Sequence, residues 1–155
     1  MSKGVAVRQA GIGDVAVLAE QRLRLQTEVN GVPGEPGAED AFKRRCETFF
    51  RDTLASGEYV AWIAEEDGVP VGGGGAILRR ALPHIKLRDE REIKIQSMYV
   101  LPEKRGRGIG GAIMDAILAY LREHNVERIT LSPAPNARHF YESRGFHDTP
   151  LMRLP

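Results

Sequence analysis

The chain has 155 residues, 42 % of them hydrophobic and 28 % charged. That length suits one hydrophobic core, and the composition is that of a globular chain, which excludes collagen-like, coiled-coil and wholly disordered architectures. With 22 Lys and Arg against 21 Asp and Glu, the net charge of +1 provides no whole-chain field for nucleic acid or an anionic membrane, so any anion site must be a local cluster.

The start, Met1-Ser2-Lys3-Gly4-Val5, lacks the long apolar run of a signal peptide. Val5 to Arg8 is a β-branched run that reads as an opening strand. Asp14 is placed to cap a helix, because its carboxylate can accept from free backbone N–H groups. Val15, Leu18, Ala19, Leu23 and Leu25 to Val29 continue with a helical apolar period. The Gly- and Pro-rich stretch Asn30 to Gly37 breaks it. A second helix is expected over residues 39–55, with Phe42, Cys46, Phe49, Phe50 and Leu54 near one face. Cys46 is the single cysteine, so it forms no internal disulfide and is expected to be a reduced, partly buried thiol.

Tyr59 to Ala64 reads as a strand, Glu66-Asp67-Gly68 as a turn, and Val69 to Leu78 as the returning strand. That strand contains Gly72-Gly73-Gly74-Gly75, which fits a bulge or close packing against a helix equally well. Residues 79–89 read as a charged loop and Ile93 to Val100 as a strand. Residues 107–124 form the strongest helical pattern, with Ile109, Ile113, Met114, Ala116, Ile117, Tyr120 and Leu121 at steps of three and four. A strand over 128–131, a short helix over 136–144 and two short strands over 146–154 complete the chain. The order predicts a single α/β domain over 1–155, with a central sheet of both antiparallel and parallel pairs. No stretch approaches the roughly 20 apolar residues of a membrane span. The expected location is the cytoplasm, with neither nucleic acid nor membrane as a partner. His124, His139 and His147 show no metal spacing with one another or with Cys46, so no metal is expected.

The most informative segment is Tyr99 to Gly111, where Gly106, Gly108, Gly110 and Gly111 fall between a strand and the strongest helix. Glycine permits positive φ and close approach of a ligand to the backbone. The first N–H groups of a helix lack internal partners, and the dipole adds partial positive charge. Together these form a phosphate cradle, and Lys104, Arg105 and Arg107 add cations at its rim. It is not a P-loop, because Ala112 and Ile113 follow Gly111 where Lys and Ser or Thr are required. Gly106-x-Gly108-x-x-Gly111 matches the dinucleotide fingerprint, but Ser132-Pro133 stand where that fold needs an acidic residue.

Arg105-x-x-Gly108-x-Gly110, opening a long helix after a strand, resembles the acetyl-CoA pyrophosphate motif of the GCN5-related N-acetyltransferases, the GNAT superfamily. Phe140-Tyr141-Glu142-Ser143-Arg144-Gly145-Phe146 resembles that family's C-terminal signature. The resemblance covers essentially the whole chain. It implies a GNAT-like fold in which two neighbouring parallel strands, here 93–100 and 128–132, splay to admit acetyl-CoA as co-substrate. The backbone of Met98, Tyr99 and Val100 would pair with the pantetheine arm. The loop from Arg105 through Gly106, Arg107, Gly108, Ile109 and Gly110 to Gly111 would hold the pyrophosphate. The Met98 N–H would face the thioester oxygen, and Tyr141 would act as general acid toward the leaving thiolate. The plain alternative for Tyr141 is a half-buried aromatic on an amphipathic helix.

Two departures stand out. Many members carry an Asn seven residues before this Tyr; Ala134 stands there, and Asn136 suits a helix N-cap equally well. Members that remove the amine proton directly often carry Glu or His on the strand before the glycine loop, where this chain has Lys94 and Gln96. Glu92, two residues earlier on the same face, is the candidate base acting through water.

The implied activity is transfer of an acetyl group to a small-molecule or peptide amine by direct attack in a ternary complex. The competing class is a non-catalytic acetyl-CoA sensor or scaffold. Acceptor contacts are expected from residues 22–40, 80–92 and the segment after Phe146. Glu28, Glu35, Glu39 and Asp40 suit an ammonium group; Arg79, Arg80, His84, Lys86 and Arg88 suit a carboxylate. The acceptor is therefore left open. The resemblance also implies a homodimer as an option, which no residue here decides.

Overall fold

In the computed structural model, which describes residues 4–155, the elements in chain order are β1 (Val5–Gln9), α1 (Val15–Asn30), α2 (Ala38–Ser56), β2 (Tyr59–Glu66), β3 (Val69–Arg80), β4 (Arg91–Val100), α3 (Ile109–Glu123), β5 (Arg128–Thr130) and α4 (Arg138–Glu142). The Met1-Ser2-Lys3 start lies outside the described residues. The strands form one sheet in the order β1-β2-β3-β4-β5. β1 to β4 pair antiparallel; β4 and β5 pair parallel. This is the mixed α/β sheet expected from the order of elements.

Alternation along β2 explains the layering. Tyr59, Ala61 and Ile63 face one side and join Val15, Leu18, Ala19, Cys46 and Phe50 of α1 and α2 in one core. Val60, Trp62 and Ala64 face the other side and join Ile109, Ile113, Met114, Ile117, Leu118 and Leu121 of α3 in a second core. A strand covered on both faces must be apolar at every position, and Tyr59 to Ala64 are all buried. α3 is the helix with the widest apolar stripe because it closes the larger core. α1 ends at Gly31, whose φ of +87° stops the helix before Pro33. Among the described residues, no helix is long and apolar enough to cross a membrane.

Five local expectations are corrected. Asp14 does stand at the N-terminus of α1, but its carboxylate does not cap that helix. It turns back to accept from Gly11 N–H at 2.8 Å and from both terminal nitrogens of Arg8 at 2.9 and 2.7 Å. α3 begins at Ile109 rather than at residue 107, because Gly106 and Gly108 take φ of +78° and +81°. Asn136 lies within a 3-10 turn, Pro135–Ala137, and caps no helix; the helix itself shrinks to α4. The two strands expected over 146–154 do not form. Pro150 and Pro155 lack backbone donors, β5 is three residues long, and Leu151, Met152 and Leu154 remain exposed.

Candidate active site

β4 and β5 are in register only at Glu92–Arg128, Ile93–Ile129 and Lys94–Thr130. Beyond Lys94, among the described residues, that edge of β4 has no strand beside it, so its backbone groups face an open cleft. An unpaired strand edge is a template for an extended ligand. The cleft has a volume of about 1330 Å³. Its walls are the last turns of α1, residues 94–100 of β4, the loop and first turn of α3, and the segment from Leu131 to Ala137, with Phe140 and Tyr141.

A bulge re-aims β4 inside this cleft. Gly73 pairs with Tyr99 and Gly75 with Gln96, so two steps along β3 oppose three along β4. The extra residue falls at Ser97 and Met98, and Ser97 takes a φ of +61°. Before the bulge, Ile93 and Ile95 face the α3 core; after it, Met98 and Val100 do. Tyr99 is thereby turned to the α1 side, where the Arg105 guanidinium lies 5.6 Å over its ring.

The glycine run of β3 answers to this bulge and to packing on both faces. A Cβ on Gly74 would lie 2.3 Å from Met98 Sδ, and one on Gly72 would lie 2.7 Å from the Tyr99 carbonyl oxygen. On the opposite face, a Cβ on Gly73 would meet Gln21 Oε1 at 2.3 Å, and one on Gly75 the Tyr59 hydroxyl at 2.3 Å. Both readings offered by the sequence therefore apply.

The loop glycines divide by role. Gly106 and Gly108 supply left-handed backbone, and Gly108 is the residue from which α3 springs. Ala112 N–H donates to Gly108 oxygen at 3.1 Å, so the earlier N–H groups, of Ile109, Gly110 and Gly111, form the helix end beside the cleft. Gly111 makes room for Arg144, whose Nη2 would lie 2.4 Å from a Cβ there, with its guanidinium 4.2 Å over the Phe140 ring.

The three rim cations are not equivalent. Arg105 lines the cleft and donates to both carboxylate oxygens of Glu28, at 2.8 and 2.9 Å, and to the Val100 carbonyl at 2.9 Å. It thus ties the loop to the end of α1. Glu28 is engaged by this arginine, which bears on its suitability for a substrate ammonium. Lys104 lines the cleft and bonds Glu66 at 2.6 Å. Arg107 directs its guanidinium to the other oxygen of Glu66 and does not line the cleft. Lys104 first, then Arg107, hold the Glu66 carboxyl below the usual carboxylate range.

Tyr141 lines the cleft from α4. It is half-buried, edge-on to Phe140 and Phe146 with ring centroids 5.1 and 6.0 Å away. Burial raises its pKa above the ordinary phenol value, so it keeps its proton at neutral pH. Met98, Tyr99, Val100, Arg105, Gly106, Gly108, Ile109, Gly110 and Gly111 line the same cleft. Glu92 does not. It is exposed in the stretch where β5 still pairs, between Arg79 on β3 and Arg128 on β5, because the strands have not yet parted there. Lys94 and Gln96 do reach the cleft.

Sequence reasoning placed residues 22–40 near the acceptor and singled out Glu28 there, but named no other residue of the α1 wall. Arg22, Gln26 and Asn30 line the cleft and stand four residues apart, one polar stripe beside the buried one; that spacing is the signal. The bulge at Ser97 has no signal, since serine carries the positive φ. A second cavity, of about 450 Å³, lies between α1, α2, β3 and β4. Arg22, Gln96 and Ser97 line both cavities, so the two meet at the bulge.

The comparisons with known proteins agree with this geometry. Residues 26–146 match the model of the acetyltransferase (GNAT) family. The chain is 33 % identical over 111 residues to a mycothiol acetyltransferase of Beutenbergia cavernae, covering 70 % of this chain and 33 % of that protein. It thus spans about a third of the length of that curated relative. Two solved structures are similar over nearly their full lengths. A GCN5-related N-acetyltransferase from Ralstonia eutropha JMP134 superposes with a TM-score of 0.85 at 25 % identity, covering 98 % of each chain. A predicted acetyltransferase with acetyl-CoA from Clostridium acetobutylicum superposes with a TM-score of 0.86 at 25 % identity, covering 97 % of this chain and 96 % of that one.

Proposed function

Because this chain belongs to the acetyltransferase (GNAT) family, we propose that it is an acetyl-CoA-dependent N-acetyltransferase acting by direct transfer to an amine. The observation that carries the reading is the parting of β4 from β5 after Lys94, which opens a cleft shared by a free strand edge, a helix N-terminus and Tyr141. The residues fit acetyl-CoA on three counts. The β4 edge beyond Lys94 offers backbone without a partner strand for the amides of a pantetheine arm, with the Val100 carbonyl also accepting from Arg105. The N–H groups of Ile109, Gly110 and Gly111 offer donors and a positive dipole end for a pyrophosphate. Lys104 and Arg105 add cations beside them.

Acetyl-CoA supplies an activated thioester open to attack by an amine. The chain supplies position and charge. Tyr99 and Val100 hold the arm through their backbone. Met98 N–H donates to the carbonyl oxygen, a contact that strengthens as that oxygen gains charge. As the amine nitrogen bonds to the carbonyl carbon and the carbon–sulfur bond breaks, Tyr141 gives its proton to the departing sulfur. The amine proton leaves through water in the open cleft; no side-chain base is assigned. The proposal includes a cytoplasmic location, where a reduced Cys46 is the expected form. No observation favours a non-catalytic sensor.

Calorimetric titration with acetyl-CoA, CoA and NAD tests the reading, followed by thiol release with an amine panel. Binding of both CoA species without NAD is expected, together with amine-dependent thiol release. Failure to bind either CoA species would remove it.

A further inference from the structure

The second cavity is built unlike the first. Its floor is aromatic: Phe50 and Tyr59 lie with ring centroids 5.3 Å apart, Phe49 and Phe50 at 5.6 Å, and Phe49 and Tyr59 at 6.2 Å. Arg22, Arg45 and Arg79 line it, and among the described residues no carboxylate does. Among the described residues, none of these three guanidiniums has a carboxylate partner. Elsewhere the same chain pairs its arginines freely, as Arg105 with Glu28 and Arg8 with Asp14 show. Arg45 instead lies 5.8 Å over the Phe42 ring at the wall of the cavity. Three cations that form no ion pair line the same cavity as the aromatic rings, a selective environment; Glu92 stands opposite Arg79 in the strand register but lies outside the lining. The cations repel a polyamine and attract an anion, and the rings favour an apolar body.

The position adds direction. The cavity meets the larger cleft at Gln96 and Ser97, on the bulge that re-aims β4 toward Met98. A molecule seated in it would reach that junction with one end and keep the other among the arginines. Arg45 and Arg79 are the exposed pair, and Arg22 is at the junction. The volume of about 450 Å³ suits a small molecule rather than a folded chain.

We infer that this cavity receives the acceptor, and that the acceptor class is a small amine carrying both a carboxylate and an apolar group, with Arg45 and Arg79 as its specificity determinants. The inference rests on the acetyl-transfer reading above and names the substrate class of that site. Acidic residues near residues 30–40 do not compete for this role: Glu35, Glu39 and Asp40 are exposed and line neither cavity.

The test is a binding measurement, so it does not depend on turnover. Phenylalanine, leucine, their amides and spermidine are titrated into the protein with and without CoA. Each acid is expected to bind at least about tenfold more tightly than its amide, the value of one charge-assisted hydrogen bond. Spermidine is expected not to compete. Arg45→Gln and Arg79→Gln, both at exposed positions, are each expected to reduce the acid-over-amide preference by about fivefold or more. Arg44→Gln, a neighbour outside the cavity lining, is expected to leave it unchanged. Equal binding of acids and amides, preference for spermidine, no binding of either acid, or retention of the preference in both cavity variants would each overturn the inference. Loss of acetyl-CoA binding in the companion titration is a separate result and defeats the acetyl-transfer reading instead.

Discussion

The packing of Tyr141 bears directly on the acid role proposed for it. Its ring fills a gap between Phe140 and Phe146, and the same burial raises the pKa of its hydroxyl. A donor must be protonated, so its contribution persists at neutral pH and is lost as pH rises through the raised value. Tyr141→Phe is expected to lower kcat by about 100-fold or more while changing acetyl-CoA affinity by less than about threefold. Steady-state kinetics beside calorimetry reads this, and equal losses in both would remove the acid role. The alkaline limb of the wild-type kcat profile is expected above the ordinary phenol range of about 10.

Asp14 makes a contrasting case, where stability alone is at stake. Arg8, with help from the Gly11 N–H, holds the Asp14 carboxyl below its ordinary value. The stabilisation is present above the unfolded aspartate value of about 3.9 and is lost as pH falls through the lower folded value. Asp14→Asn is expected to cost about 0.5–1 kcal/mol at pH 7, a modest figure because Arg8 is substantially exposed. Urea denaturation at pH 7 and at pH 3 checks it; the difference between variant and wild type should shrink at the lower pH.

At the scale of elements, β3 and the α3 loop use glycine for different physical reasons, and substitution separates them. A Cβ at Gly75 meets the Tyr59 hydroxyl at 2.3 Å and the Val60 carbonyl oxygen at 2.6 Å. Tyr59 is buried and the carbonyl is backbone, so neither moves cheaply. Gly75→Ala is expected to destabilise the fold by about 1–3 kcal/mol through overpacking, read as a lower urea midpoint. Gly108 has open backbone demands instead: its φ of +81° is left-handed. Gly108→Ala is expected to cost about 1–2 kcal/mol of backbone strain. It is also expected to weaken acetyl-CoA binding, because it distorts the residue from which the α3 N–H groups project. Calorimetry on the two variants should show a binding defect at Gly108 that exceeds any at Gly75.

For the whole molecule, the cleft lies between elements drawn from distant parts of the chain: α1, β4, α3 and α4. A ligand bridging them stabilises only the folded state. At 100 times its Kd, acetyl-CoA is expected to add about 2.7 kcal/mol. For a chain of this size that corresponds to a rise in Tm of roughly 5–10 °C. Thermal unfolding with acetyl-CoA and with NAD as control reads it; equal shifts for both would contradict a site selective for coenzyme A.

Periodicity and punctuation in the sequence were sufficient for the elements whose burial is one-sided or complete. The 3.6-residue stripe of α3 and the continuous apolar run of Tyr59 to Ala64 can be satisfied by few other structures. The four closely spaced glycines around the start of α3 likewise mark a strand-to-helix turn with room for a phosphate, because backbone conformation is a local property. Local chemistry did not decide where side chains go once several partners compete. Asp14 had a helix N-terminus at hand and took Arg8 and Gly11 instead; Arg107 stood in the glycine loop and turned to Glu66 on β2. The bulge at Ser97, the α1 wall and the second cavity with its three arginines arise from contacts between segments far apart in the chain. Register and charge pairing across such distances depend on which surfaces the packed sheet brings together, and tertiary structure alone determines that.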